Sequence, residues 1–295
     1  MSKHTKTVKG PTRFASIREE VGRSWFRLKQ SPLSLVGLGM VGSVFFIAIF
    51  AEYFSPYPAD VFVPHFESRL LPPGPEHWLG TDNFGRDILS RVLFGSRIAL
   101  QVGVFVEALT LAVGVSLGLI AGYYGGSINQ AIMRVSDIFL SVPQLALAIA
   151  VAAALGPSLW HAIIGVSMVW WPWYTRLVQG EVLSLKEREF VEGARAVGLS
   201  KLRIAFSEIL PNVVSPVTVK ASLDIGFAIL LTTALSFLGL GSQEPTPDWG
   251  LMMSVGRQLL PTYWWLTAFP GLAIFCSVLA FNLLGDGLRD IFEED

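Results

Sequence analysis

Long apolar runs alternate along this chain with shorter polar stretches. The runs cover 33–53, 98–123, 135–155, 159–177, 213–240 and 267–284. Each is close to the ~20 residues that cross a bilayer as a helix. The pattern predicts an all-α membrane protein with six transmembrane helices in one membrane domain over 33–290. The first run is too long for the core of a signal peptide, and no small-residue cleavage site precedes the polar stretch that follows. It therefore reads as an uncleaved anchor.

The polar stretches carry their own patterns. Residues 1–32 form a basic tail in which Ile17, Val21, Trp25 and Leu28 recur at helical spacing. That spacing suits either a short amphipathic helix on the inner membrane surface or a disordered basic tail. Segment 55–97 is proline-rich up to His77, which forbids a long helix there. From Asp82 onward Phe84, Ile88, Val92 and Leu93 predict a helix along the outer surface. Asp82, Arg86, Asp87 and Arg91 read as a charge lattice on its exposed face. Residues 124–134 are expected to be a short turn, and 291–295 a short acidic tail.

Segment 189–211, EFVEGARAVGLSKLRIAFSEILP, is charged but also amphipathic. Phe190, Val191, Ala194 and Val197 share one helical face. Gly198 suits a left-handed helix end, Ser200 an N-cap, and Pro211 the first turn of the next helix. A loop bearing such an apolar stripe exposes it to water unless a partner covers it.

Inside the runs, Gly114, Gly118 and Gly122 recur every four residues, a spacing that lets helices approach closely. Glu107 is a carboxylate within a span, either functional or paired near the rim. Lys220 and Asp224 share a helix face. Trp170, Trp171 and Trp173 suggest an interfacial belt, Pro172 a kink and Pro216 a break. His161 reads as an interfacial residue rather than a ligand.

Composition agrees with this picture: 52% of residues are hydrophobic and 15% charged, against about 25% charged in soluble domains. The single cysteine, Cys276, excludes a disulfide framework. No Walker A sequence, HExxH motif or Cys/His cluster is present, so the chain offers no phosphate cradle and no metal site. A net charge of -1 says nothing about nucleic acid, and no nucleic-acid partner is expected. With the N-terminus inside, 17 of the 22 Lys and Arg fall on the inner side. That bias places both termini and segment 180–211 in the cytoplasm, and 55–97 outside.

Glu192-Gly193-Ala194, Gly198 and Ile209-Leu210-Pro211 resemble the "EAA" loop of bacterial ABC-importer permeases. Gly193 stands where that pattern has its second alanine, and Glu208 where it has isoleucine. Segments 77–97 (HWLGTDNFGRDILSRVLFGSR), 235–250 (LSFLGLGSQEPTPDWG) and 281–290 (FNLLGDGLRD) are similar to permeases of the dipeptide/oligopeptide/nickel branch. The resemblance runs from about residue 30 to 292. Members often carry a glutamate shortly before the LSFLG string, where this chain has Thr232.

The resemblance implies a type I ABC importer permease fold in a bacterial inner membrane. It implies a homologous second permease as heterodimer partner, two ABC ATPase subunits and an extracytoplasmic substrate-binding protein. Glu192, Gly193, Ala194, Gly198, Ile209, Leu210 and Pro211 would then form the ATPase-coupling loop. The chain itself would bind no cofactor, while ATP-Mg is used by the partner ATPases. Di- or oligopeptides are the expected substrates, with nickel or glutathione as alternatives. Glu107 and Asp224 are candidates for the translocation path. Two rival classes are a channel and a membrane-embedded aspartyl enzyme built on Asp224 and Asp286. The sequence before Gly285 lacks the second glycine that a GxGD site requires.

Overall fold

The computed structural model describes residues 32–293; the basic-tail helix expected around Ile17–Leu28 lies outside them. The long helices are α1 (Pro32–Phe54), α2 (Ile88–Tyr124), α5 (Leu159–Leu185), α7 (Lys201–Phe237) and α9 (Trp265–Glu293). Shorter ones are α3 (Gly126–Leu140), α4 (Gln144–Leu155), α6 (Glu189–Ala196) and α8 (Trp249–Gly256). No β-strand occurs among the described residues.

By length and hydropathy α1, α2, α7 and α9 each suffice to cross a membrane. α3 and α4 add a fifth span if counted as one, although they meet at 90°. The hydropathy pattern predicts six. The difference lies in α5, which has 27 residues of which 13 are buried. It packs between α2, α4 and α7, so lipid does not require it to be apolar all round.

Several expectations change. The turn at 124–134 is helical, and the third run breaks at Ser141–Pro143, where Pro143 cannot continue the hydrogen-bond ladder. Pro216 lies inside continuous helix, as membrane helices allow. Trp170 and Trp171 are buried at mid-helix, and only Trp173 is exposed, so the tryptophans form no single belt. His161 Nδ1 donates to the Gly156 carbonyl at 2.8 Å.

The glycine ladder has the expected consequence. A Cβ at Gly114 would collide with Tyr174 and the Trp171 carbonyl; one at Gly118 would meet Thr175 and Val178, and one at Gly122 would meet Val182. α2 and α5 therefore touch backbone to backbone, and Thr175 Oγ1 donates to the Gly114 carbonyl at 3.2 Å.

One end of the bundle is closed by 55–87 and 241–264. The charges there are not a surface lattice: Asp82, Asp87 and Arg91 are buried with Arg86. Arg86 Nε bonds Asp82 at 2.7 Å and Nη1 bonds Glu244 at 2.6 Å, 158 residues away. Burial alone lowers the Arg86 pKa, but its bonds to Glu244 and Asp82 outweigh this and raise it. Arg91 donates to the carbonyls of Val61, Pro245 and Thr246. Asp87 caps α2 through Ser90 N at 2.8 Å and also holds His77 at 2.9 Å. The sequence pattern missed this because Glu244 is remote and α2 begins only at Ile88.

Candidate functional site

Two features lie away from that closed end. The first is segment 186–209, at the far end of α2. Glu189 and Glu192 occupy the first turn of α6, where the helix dipole favours negative charge. Gly198 adopts φ +77°, and Leu199 N bonds the Ala194 carbonyl. This left-handed turn ends α6 as glycine allows. Ser200 Oγ accepts from Arg203 N at 3.4 Å at the start of α7, whose first turns include a π-helical segment at Ile204–Ile209.

The apolar stripe of α6 is divided. Val191 and Ala194 are buried with Leu119, Val178, Val182, Ile204, Ile209 and Val213, so the bundle itself covers that half. Phe190 is 42% and Val197 77% exposed; in the segment that follows, Leu202 and Phe206 are also exposed, at 61% and 58%. Among the expected coupling residues, Glu192, Gly193, Gly198 and Pro211 are exposed, Ala194 and Ile209 buried, and Leu210 half-buried. Leu202 and Phe206 were not singled out from the sequence. Their four-residue spacing within the polar segment was the available signal.

The second feature is a cavity of about 470 Å³ along α7, lined by Leu177, Pro216, Lys220, Leu223, Asp224 and Phe227 among others. Lys220 Nζ lies 2.9 Å from Asp224 Oδ2. The Tyr174 hydroxyl donates to the same oxygen at 2.8 Å, and the ammonium sits over the Tyr174 ring at 5.2 Å. Glu107 comes close to this group, with Tyr174, Asp224 and Lys220 all within electrostatic reach. It is 5% exposed, and neither of its oxygens has a hydrogen-bond partner among the described residues. Folding thus brings together Glu107 and Asp224, though only Asp224 lines the cavity. Tyr174, their link, carries no signal in a helix crowded with aromatic residues. Asp286 is exposed and does not line this cavity. The Lys220–Asp224 pair and Arg289 among apolar walls suit binding of a polar solute, with Tyr174 buried behind Asp224.

The family model "Binding-protein-dependent transport system inner membrane component" matches residues 114–295. "N-terminal TM domain of oligopeptide transport permease C" matches residues 21–73. The chain is 47% identical to "Dipeptide transport system permease protein DppC" of Alkalihalophilus pseudofirmus, over 90% of this chain and 87% of that one. It is 41% identical to "Probable D,D-dipeptide transport system permease protein DdpC" of Escherichia coli, over 90% and 89%. To "Glutathione transport system permease protein GsiD" of Pectobacterium atrosepticum it is 40% identical, over 94% and 92%. Among solved structures, a chain of the inward-facing MetNI methionine ABC transporter superposes with TM-score 0.54. It is 17% identical and covers 68% of this chain and 95% of its own, so the likeness is one of fold.

These relatives are transport permeases and not enzymes, which removes the aspartyl-enzyme reading. A helical bundle with apolar spans, an "EAA"-like loop and matches across nearly its whole length, this chain belongs to the binding-protein-dependent inner-membrane permeases of ABC importers, on the DppC/OppC-like branch.

Proposed function

We propose that this permease carries dipeptides or short oligopeptides inward as half of a heterodimeric pathway. A second permease, two ATPases and an extracytoplasmic binding protein complete the importer. The observation that carries the coupling half of this reading is segment 186–209. Val191 and Ala194 fix it to the bundle core, while Phe190, Val197, Leu202 and Phe206 offer an apolar surface to a partner. We assign Glu192 to Pro211 as the ATPase-docking element and place it in the cytoplasm by the excess of Lys and Arg on that side. The start of α1 lies beside the end of α9, with Ser34 against Gly287, which supports a reading in which both helix ends face the same, cytoplasmic, side. Closure of the ATPases would move this element, and rocking of the helix bundles would switch access from outside to inside.

The dipeptide reading is supported by the names of the relatives at 47% and 41% identity. The glutathione permease at 40% supports a second reading, in which the cargo is a small acidic peptide. Asp224, with Glu107 behind it, is proposed to lie on the path.

The test is co-purification from native membranes. Wild type is expected to recover a second permease and ATPase subunits, and Val197→Asp with Leu202→Asp to lose the ATPases alone. Failure of wild type to recover an ATPase overturns the docking assignment. Uptake of radiolabelled dialanine against glutathione in proteoliposomes containing the whole importer then decides the cargo.

A further inference from the structure

The α7 cavity joins apolar walls to a compact pair of opposite charges, Lys220 and Asp224, with Arg289 of α9 also on its lining. We propose that Lys220 and Asp224 form a receptor for the two charged termini of a short zwitterionic peptide inside the permease. This rests on the peptide-import reading above.

The geometry of Asp224 is what supports it. Its described contacts, to Tyr174 Oη at 2.8 Å and Lys220 Nζ at 2.9 Å, both fall on Oδ2. Oδ1 has no described contact, so an α-ammonium binds there without dissolving the existing pair. Lys220 has three N–H donors, and Asp224 uses one, which leaves donors for a terminal carboxylate. The side chains of Lys220 and Asp224 are 31% and 14% exposed, so both are reachable from the cavity they line.

Tyr174 is fully buried and holds Oδ2 in place from behind. Glu107 neighbours Tyr174 but does not line the cavity, so it does not touch the cargo. A volume of about 470 Å³ falls within the usual range for small-molecule sites. Leu177, Leu223 and Phe227 give side chains of varied shape an apolar surface without selecting among them. Selection by the termini and tolerance of the side chains are what a carrier of assorted short peptides requires.

The test uses the purified permease–ATPase complex without binding protein, so that no upstream selection intervenes. A dipeptide of alanine and photoreactive leucine is irradiated with the complex, and labelled residues are mapped by mass spectrometry. Label is expected on α7 around Leu223 and Phe227. Excess dialanine should remove it, and dialanine with its amino end acetylated or its carboxyl end amidated should not. Asp224→Asn and Lys220→Met each lower the label about tenfold, as loss of a charged hydrogen bond does. Asp224→Glu restores most of it, which a merely structural aspartate would not allow. ATP hydrolysis and subunit recovery check that each variant is assembled.

Absence of label from α7 in wild type overturns the proposal, and is the result expected if a residue of the second permease fills the cavity. Label unchanged in both charge variants overturns it equally. Uptake by wild type in proteoliposomes separates the two readings. Peptide uptake without α7 label sinks the subsite alone; no peptide uptake sinks the cargo assignment itself.

Discussion

Segments 55–97 and 186–209 leave the bundle at opposite ends of α2 and are held by opposite means. The first is locked by charge: Asp82, Arg86, Arg91 and Glu244 tie it to the 241–249 stretch, mostly out of water. The second is held by an apolar wedge, Val191 and Ala194, and most of its charged side chains stay exposed, with Lys186 and Glu208 half-buried. A buried charge network tolerates little displacement, because moving one member strands the others without solvent. An apolar wedge slides at lower cost, since dispersion and burial are not directional. The first arrangement suits a fixed rim, and the second suits an element that is pushed.

This contrast breaks most clearly at Arg86. Arg86→Met leaves buried Asp82 with the longer 3.5 Å contact to Arg91 as its remaining described ion pair and is expected to cost about 3–5 kcal/mol. Thermal unfolding of the purified complex should show it, and Arg86→Met with Asp82→Leu should recover part of the loss. ATPases should still co-purify from whatever folded complex remains.

Val191→Asp places a charge in the wedge. A loss of about 3 kcal/mol is expected, confined to the loop. Limited proteolysis should then cut near Gly198 faster than in wild type, and the ATPases should be lost. Equal destabilisation of the 55–97 end would remove the distinction between the two regions.

Leu202→Asp is a surface change and should move stability by no more than about 0.5 kcal/mol. Its effect is expected in docking, as loss of ATPase recovery with unchanged thermal unfolding. Smallest is Gly193→Ala. A Cβ there meets nothing within 4 Å, so the helix gains about 1 kcal/mol with no change in docking. Reduced ATPase recovery in this variant would mean that the partner packs against the Gly193 backbone.

Where a local rule was sufficient, the reading from residues matches the coordinates. Gly198 takes a left-handed turn, Ser200 caps, and Gly114, Gly118 and Gly122 set α2 against α5. Each depends on one residue's own geometry or on a fixed helical period. The coupling-loop surface was half legible: the period located the stripe but not the line along which the bundle covers it. Arg86 looked exposed because its charge suggested a solvated face, and its partner Glu244 is 158 residues away.

The sequence alone determined that the chain is a helical membrane protein of the ABC-importer permease kind, since span length, charge bias and short motifs are local quantities. Tertiary structure decided which spans the bundle shelters and that α3 and α4 meet at 90°. It also decided that Glu107, Tyr174 and Asp224 gather from three helices. Burial and pairing across such separations depend on how helices pack, and the hydrophobic period fixes only which face of each is turned inward.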